Sequence, residues 1–116
     1  MPRERKKEES TMLRIQEVAM RLIRPGMEIM KEIGLHDPDL ARQGRKALTS
    51  IPLNTAEGSG SRGGNRRARY DTALGSAREL RTIVDVGKAA GYVRRERPAF
   101  DADLNHVTAV MVKLVK

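Results

Sequence analysis

The sequence predicts an all-α protein, an antiparallel, up-down-up-down four-helix bundle. Two observations carry that expectation. Apolar residues recur at helical spacing in successive segments, and proline, glycine and Asx residues punctuate the segments at short intervals. No stretch shows the sustained alternation that a half-buried strand requires. Helical stripes joined by short connections favour antiparallel neighbours.

The first ten residues, MPRERKKEES, mix charges with Pro2 and read as a flexible tail, which leaves 11–116 as one domain. From about Thr11 to Ile33 a stripe runs through Met12, Ile15, Ala19, Leu22, Ile23, Ile29, Met30 and Ile33. Pro25-Gly26 interrupts it, and a kink or short break is expected there because an interior proline removes a hydrogen bond and crowds the preceding turn. Gly34 stands where a helix end favours a left-handed residue.

Asp37-Pro38 is a strong start signal, a capping side chain followed by proline at the first helical position. The second helix carries Leu40, Gly44, Ala47, Leu48 and Ile51 on one face, bends at Pro52, and ends near Glu57-Gly58. Glycine inside a helix is costly, so Gly44 implies close approach of a neighbouring backbone. The run GSGSRGG breaks the chain, and Asn65 is placed to cap the third helix. Its stripe, Ala73, Leu74, Ala77, Leu80, Val84 and Gly87, stops at Gly91-Tyr92. Pro98 opens the fourth helix, where Phe100, Leu104, Val107, Met111 and Leu114 follow the spacing of a coiled-coil seam.

Composition narrows the function. With 116 residues the chain is long enough to bury a core, and without cysteine it has no disulfide or thiolate chemistry. No apolar run approaches the length of a membrane span, and the charged start lacks a secretory h-region, so a cytoplasmic protein without membrane contact is expected. The net charge of +8 leans towards a polyanionic partner. Aromatics make up only 3%, as Tyr70, Tyr92 and Phe100, too few and too scattered for a base-stacking platform. Backbone phosphates would then be the groups recognised.

Gly58-Ser59-Gly60-Ser61-Arg62-Gly63 matches the letters of a dinucleotide-binding loop, but it follows a helix and lies in no βαβ unit. It is read as an interhelical turn. His36 sits in a loop and His106 beside the seam of the last helix. Neither has convergent partners at metal-ligand spacing, so no metal, cofactor or catalytic site is expected.

The basic residues are unevenly placed. Between Arg42 and Arg81 nine of them (Arg42, Arg45, Lys46, Arg62, Arg66, Arg67, Arg69, Arg78, Arg81) face three acids (Glu57, Asp71, Glu79), a balance of +6. Arg62, Arg66, Arg67 and Arg69 crowd the glycine loop and the first turn of the third helix, where backbone donors favour phosphate. With Lys46 they form the candidate nucleic-acid contacts. Pairs Arg67–Asp71 and Arg81–Asp85 at i,i+4 would quench part of the charge. About the glycine loop, position 45 falls opposite 79, so Glu79 is expected to pair with Arg45 or Arg42 across the bundle.

Gln43-Gly44-Arg45-Lys46-Ala47-Leu48-Thr49-Ser50-Ile51-Pro52-Leu53-Asn54-Thr55-Ala56-Glu57-Gly58 resembles the Q-L-R-R-A-x-x-S-I-P-x-N-I-A-E-G signature of the four helix bundle protein family, also named for the intervening-sequence protein of bacterial large-subunit ribosomal RNA genes. Gly75-Ser76-Ala77-Arg78-Glu79-Leu80 resembles its second motif, G-S-L-x-E-L-E, and Gly91-Tyr92 its G-Y ending. Here Gly44 replaces leucine, Lys46 arginine, Thr55 isoleucine, and Arg81 the second glutamate. The resemblance implies a four-helix bundle without enzymatic activity that assembles as a homopentamer. A related accessory protein of diversity-generating retroelements forms a basic pentamer and works with reverse transcriptase and RNA. It also implies structural roles for Arg45, Ser50, Pro52, Asn54, Glu57, Gly58 and Glu79, with Asn54 and Glu57 tying off the end of the second helix through backbone hydrogen bonds. A partner that is RNA, DNA or an acidic protein fits this picture; a helix-turn-helix repressor does not, since no short helix pair with a tight turn is present.

Overall fold

The computed structural model describes the backbone from Pro2 to Lys116 and the side chains of Ser10, Thr11 and residues 13–116. Met12, expected on the first stripe, lies outside the described side chains, as do all but one of the ten residues assigned to a tail. Five helices are present among the described residues: α1 (Pro2–Arg21), α2 (Ile23–Gly34), α3 (Pro38–Ser59), α4 (Gly63–Ala89) and α5 (Pro98–Leu114), with no strand. Because α1 and α2 form one broken arm, the chain makes four arms. α1 begins at Pro2, inside the stretch read as a tail.

The break falls at Leu22 rather than at Pro25-Gly26. Proline clashes with the carbonyl four residues before it and offers it no N–H. For Pro25 that carbonyl belongs to Arg21, the last residue of α1. Leu22 bridges the gap, its N–H reaching the Ala19 carbonyl at 3.2 Å and its own carbonyl accepting from Gly26 at 2.9 Å. α3, by contrast, runs on through Pro52, whose carbonyl accepts from Gln16 Nε2 of α1 at 3.2 Å.

Most terminal signals operate as read, and two do not. Asp37 caps α3 through its side chain, accepting from the Leu40 N–H at 3.0 Å, and Pro38 and Pro98 each open a helix. Gly91, with φ of +80°, ends α4 in a Schellman turn: Tyr92 N–H reaches the Gly87 carbonyl at 2.8 Å and Gly91 N–H the Lys88 carbonyl at 3.1 Å. Gly34, however, is the last helical residue of α2 and not left-handed; the chain continues through Leu35 with carbonyl contacts back to the helix. Asn65 does not cap α4 either. Arg62 occupies that position because the helix begins three residues earlier than a cap at Asn65 requires, at Gly63.

Direct contacts establish the antiparallel arrangement. Along α3, Gly58 meets Tyr70, Ser50 meets Ser76 and Gly44 meets Ile83, so the partner on α4 advances as α3 recedes. In the same way Gly26 faces Leu48, Met30 faces Gly44 and Gly34 faces Ala41 between α2 and α3. α5 closes the bundle against α4 through Arg81–Asp101 and against α1 through Arg21–Asp103.

The core fills the space between the arms with Ile15, Leu22, Ile29, Met30, Ile33, Leu48, Ile51, Leu80, Val84, Leu104 and Met111, all essentially inaccessible to solvent. The seam of α5 is buried at Phe100, Leu104, Val107 and Met111, while Leu114 is half-buried at the frayed end. Gly44 is a site of close approach, but to side chains and not to a neighbouring backbone as expected: a Cβ there would collide with Met30 Sδ and press on Ile83 Cγ2.

Candidate nucleic-acid interface

The α3–α4 hairpin places the basic loop at one end of the bundle. Arg62 is the N-terminal boundary of α4, whose first turn holds no acidic side chain. The first intrahelical bond there is donated by Arg66 to the Arg62 carbonyl, which leaves the N–H groups of Gly63, Gly64 and Asn65 without a partner inside the helix. Among the described residues, nothing lies within 4 Å of where a Cβ would stand at Gly63 or Gly64, so no side chain crowds these two backbone positions. Glycine is needed at position 63 for a second reason, its φ of +60°.

The four loop arginines divide. Arg62, Arg67 and Arg69 are exposed and have no ion pair or side-chain hydrogen bond among the described residues. Arg66 is turned inward instead: its Nε donates to the Gly58 carbonyl at 3.2 Å and to the Ser61 carbonyl at 2.8 Å. It gives the Gly58 carbonyl, which already accepts from the Ser61 N–H at 3.1 Å, a second donor and supplies one to the Ser61 carbonyl in the loop, and the proximity of a cation to that negative helix end adds to the effect. Arg67 and Arg69, two positions apart, project about 160° from one another, so the cations wrap the hairpin end rather than line one face. Lys46 is exposed but stands about 18 Å along α3 from Gly58, and the fold does not bring it to the loop.

The expected cross-helix pair is absent. The contacts of Gly44 with Ile83 and Ser50 with Ser76 put position 45 level with 82, nearly one turn from Glu79. Arg45 and Glu79 are both exposed and no ion pair joins them among the described residues. Arg42 bonds Asp39 within its own helix and pulls that carboxyl below its ordinary range, chiefly through the hydrogen bond. A depressed carboxyl stabilises the fold above its unfolded value and loses that contribution as pH falls through its folded value. Arg42→Gln should therefore narrow the stability difference between neutral and acidic urea titrations, slightly, because both groups are exposed.

Neither expected i,i+4 pair forms among the described residues. Arg67 does not reach Asp71. Arg81, which stands where the family pattern has glutamate, reaches across to α5, bonding Asp101 at 3.2 Å and Asn105 at 2.8 Å. Lys88 shares the same carboxylate at 3.4 Å. On the far side, Arg21 grips Asp103 with two hydrogen bonds of 3.0 and 3.2 Å, and this pairing raises the guanidinium further above its ordinary value.

Of the signature residues, Ser50 and Gly58 build the α3–α4 seam, and Asn54 braces Ser50. Ser76 Oγ donates to Ser50 Oγ at 2.7 Å, and Asn54 Nδ2 donates to both the hydroxyl and the carbonyl of Ser50. Asn54 thus binds one turn back along its helix and not the loop. The loop is tied off by the Glu57 carbonyl, which accepts from Ser61 Oγ at 2.7 Å; the Glu57 carboxylate is exposed and takes no part. Gly58 lies against the Tyr70 ring, a contact that sequence spacing alone did not reveal. Thr55, in place of isoleucine, is fully buried and donates to the Ile51 carbonyl at 2.7 Å, which is how a hydroxyl is accommodated there.

Among the described residues, no group of three or more His, Cys, Asp or Glu is placed to hold a metal, and no helix is long and apolar enough to cross a membrane. One ring contact among the described residues joins a histidine to a tyrosine. His36 and Tyr92 stack with ring centroids 4.8 Å apart and planes within 5°.

A basic four-helix bundle with a polar α3–α4 seam is thus the class that the fold and this surface define. The family model of the 23S rRNA-intervening sequence protein matches residues 11–113, nearly the whole bundle, and the chain belongs to that family. No curated protein and no solved structure matches it.

Proposed function

We propose that this protein is a non-enzymatic helical scaffold that binds RNA or DNA through backbone phosphates, using the end of the α3–α4 hairpin. The observation that carries the reading is the conjunction at that end. Three exposed arginines without ion-pair partners among the described residues, Arg62, Arg67 and Arg69, surround a helix N-terminus whose two glycines no side chain crowds. Other cations are paired, as in Arg81–Asp101, Arg97–Glu32 and Arg21–Asp103, and ones unpaired among the described residues, such as Arg45 and Arg78, lie within helices and not at a helix N-terminus. A homo-oligomer, a pentamer by resemblance, would multiply a weak phosphate patch by avidity.

The test is filter binding of RNA and DNA across a salt series. Binding at low salt that weakens linearly on logarithmic axes is expected; no binding, or binding without a slope, would sink the reading. The second reading, a protein-interaction scaffold without a nucleic-acid role, draws on the apolar side chains left on the outside, Leu13 at 69%, Met20 at 56% and Leu53 at 65% exposure. A pull-down whose partners survive nuclease treatment would favour it.

A further inference from the structure

The opposite end of the bundle carries a second feature, built where α2 meets α3 and α4 meets α5. Tyr92 packs against the core, and His36 lies flat upon it at 4.8 Å while remaining exposed. A ring that is stacked on one side and exposed overall has its other face towards solvent. Both rings stand on backbone fixed by helix ends. The His36 N–H bonds the Ile33 carbonyl at 3.0 Å, and the Tyr92 N–H closes the Schellman turn on Gly87 at 2.8 Å. Little ordering is therefore left to be done when another flat ring arrives. Arg94, two residues beyond Tyr92, is exposed and has no ion pair among the described residues.

We infer that the free face of His36, backed by Tyr92, is a stacking ledge for one unpaired nucleobase, with Arg94 beside it for the adjoining phosphate. The chemistry is that of single-strand binding: an aromatic plane accepts any base, and a cation holds the backbone without reading sequence. A base inside a duplex has no free face and cannot use the ledge. The inference rests on the nucleic-acid reading above and narrows it to single strands, or to ends and loops of folded ones. It also places a contact some 40 Å from the arginine loop, the length of α4.

The chain's two histidines make the test direct, since His106 on α5 is exposed and distant from the ledge. Proton NMR would follow both imidazoles while a short oligoadenylate, as RNA and as DNA, its fully paired duplex, or inorganic polyphosphate is added. The oligoadenylate should move the His36 ring protons upfield and leave those of His106 in place; the duplex and polyphosphate should bind without that shift. A shift with either single strand supports the ledge, and the form that gives it identifies the source of the base. His36→Ala should weaken oligoadenylate binding about fivefold to a hundredfold at an unchanged salt slope, with His36→Trp restoring it. Oligoadenylate and polyphosphate binding with His36 unmoved would overturn the ledge alone. Failure of both to bind would overturn the phosphate reading as well. If His36→Ala lowers the melting temperature yet binds oligoadenylate like the parent, the stack only fastens two loops and the inference falls.

Discussion

Replacing Gly58 with valine is expected to destabilise the protein by about 3 kcal/mol or more, the largest effect of any single change at the hairpin. A Cβ at this position would stand 2.5 and 2.7 Å from Cε1 and Cδ1 of Tyr70, whose ring is 1% exposed. That ring is rigid and enclosed, so it can yield only by moving α4 away from α3. Alanine gives a gentler version of the same experiment. It gains about 1 kcal/mol in helix propensity and loses about 1–3 kcal/mol to overpacking, so Gly58→Ala should lie between parent and valine variant. Gly75 is the control: it sits within the same hairpin, exposed, with nothing near where its Cβ would stand. Gly75→Ala should raise stability by up to about 1 kcal/mol. Thermal melting of the three variants separates close packing from glycine's general cost in helices. A Gly58→Val protein as stable as the parent would mean that α3 and α4 do not meet there.

Arg97→Ala is expected to cost about 2–4 kcal/mol. Only 11% of the Arg97 side chain is exposed, and its Nη2 meets Glu32 Oε2 at 2.7 Å while Nη1 reaches the Arg95 carbonyl at 3.2 Å. These bonds fasten the loop before α5 to α2, far apart in sequence. Removing the arginine leaves the Glu32 carboxylate half-enclosed without its cation, and the loop without its anchor. Glu32 is 33% exposed, so water relieves part of the penalty and the cost stays below that of a fully buried pair. The arginine's Nε is buried without a partner among the described residues, a further cost that the native protein already bears. Urea denaturation of Arg97→Ala, Glu32→Ala and the double variant forms a cycle whose coupling should exceed about 1 kcal/mol. Simple additivity would show that the two side chains do not depend on one another.

The bundle is legible in the sequence because its signals are local. Asp37-Pro38, Gly91 and Pro98 act within one turn of chain, and the apolar stripes require only helical periodicity. Sequence and structure part where a signal acts at a distance along the backbone or between helices. Pro25 breaks the helix at the carbonyl it cannot serve, four residues back, and so the break appears at Leu22. The α3–α4 register differs from the expected one by about three residues, because it is set by packing between the helices, Gly58 on Tyr70 and Ser50 on Ser76, and not by counting outward from the loop. That shift alone separates Arg45 from Glu79. Arg66 cannot be told from its neighbours by composition, since its role depends on facing the carbonyls of Gly58 and Ser61. The His36–Tyr92 stack joins loops more than fifty residues apart and has no sequence signal.

Phosphate recognition by the hairpin end is tested most directly by comparing salt slopes. The parent and an Arg62→Gln, Arg67→Gln, Arg69→Gln triple variant would be titrated with one RNA across a salt series. Removing each phosphate-binding cation should flatten the slope of log K against log salt by about 0.7–0.9, so the triple variant should fall short of the parent by about 2–3. An Arg66→Gln variant should instead lower the melting temperature, because the Ser61 carbonyl then loses its donor and the Gly58 carbonyl keeps only the Ser61 N–H. Equal slopes for parent and triple variant would place the phosphates elsewhere and contradict the assignment of this end as the binding surface.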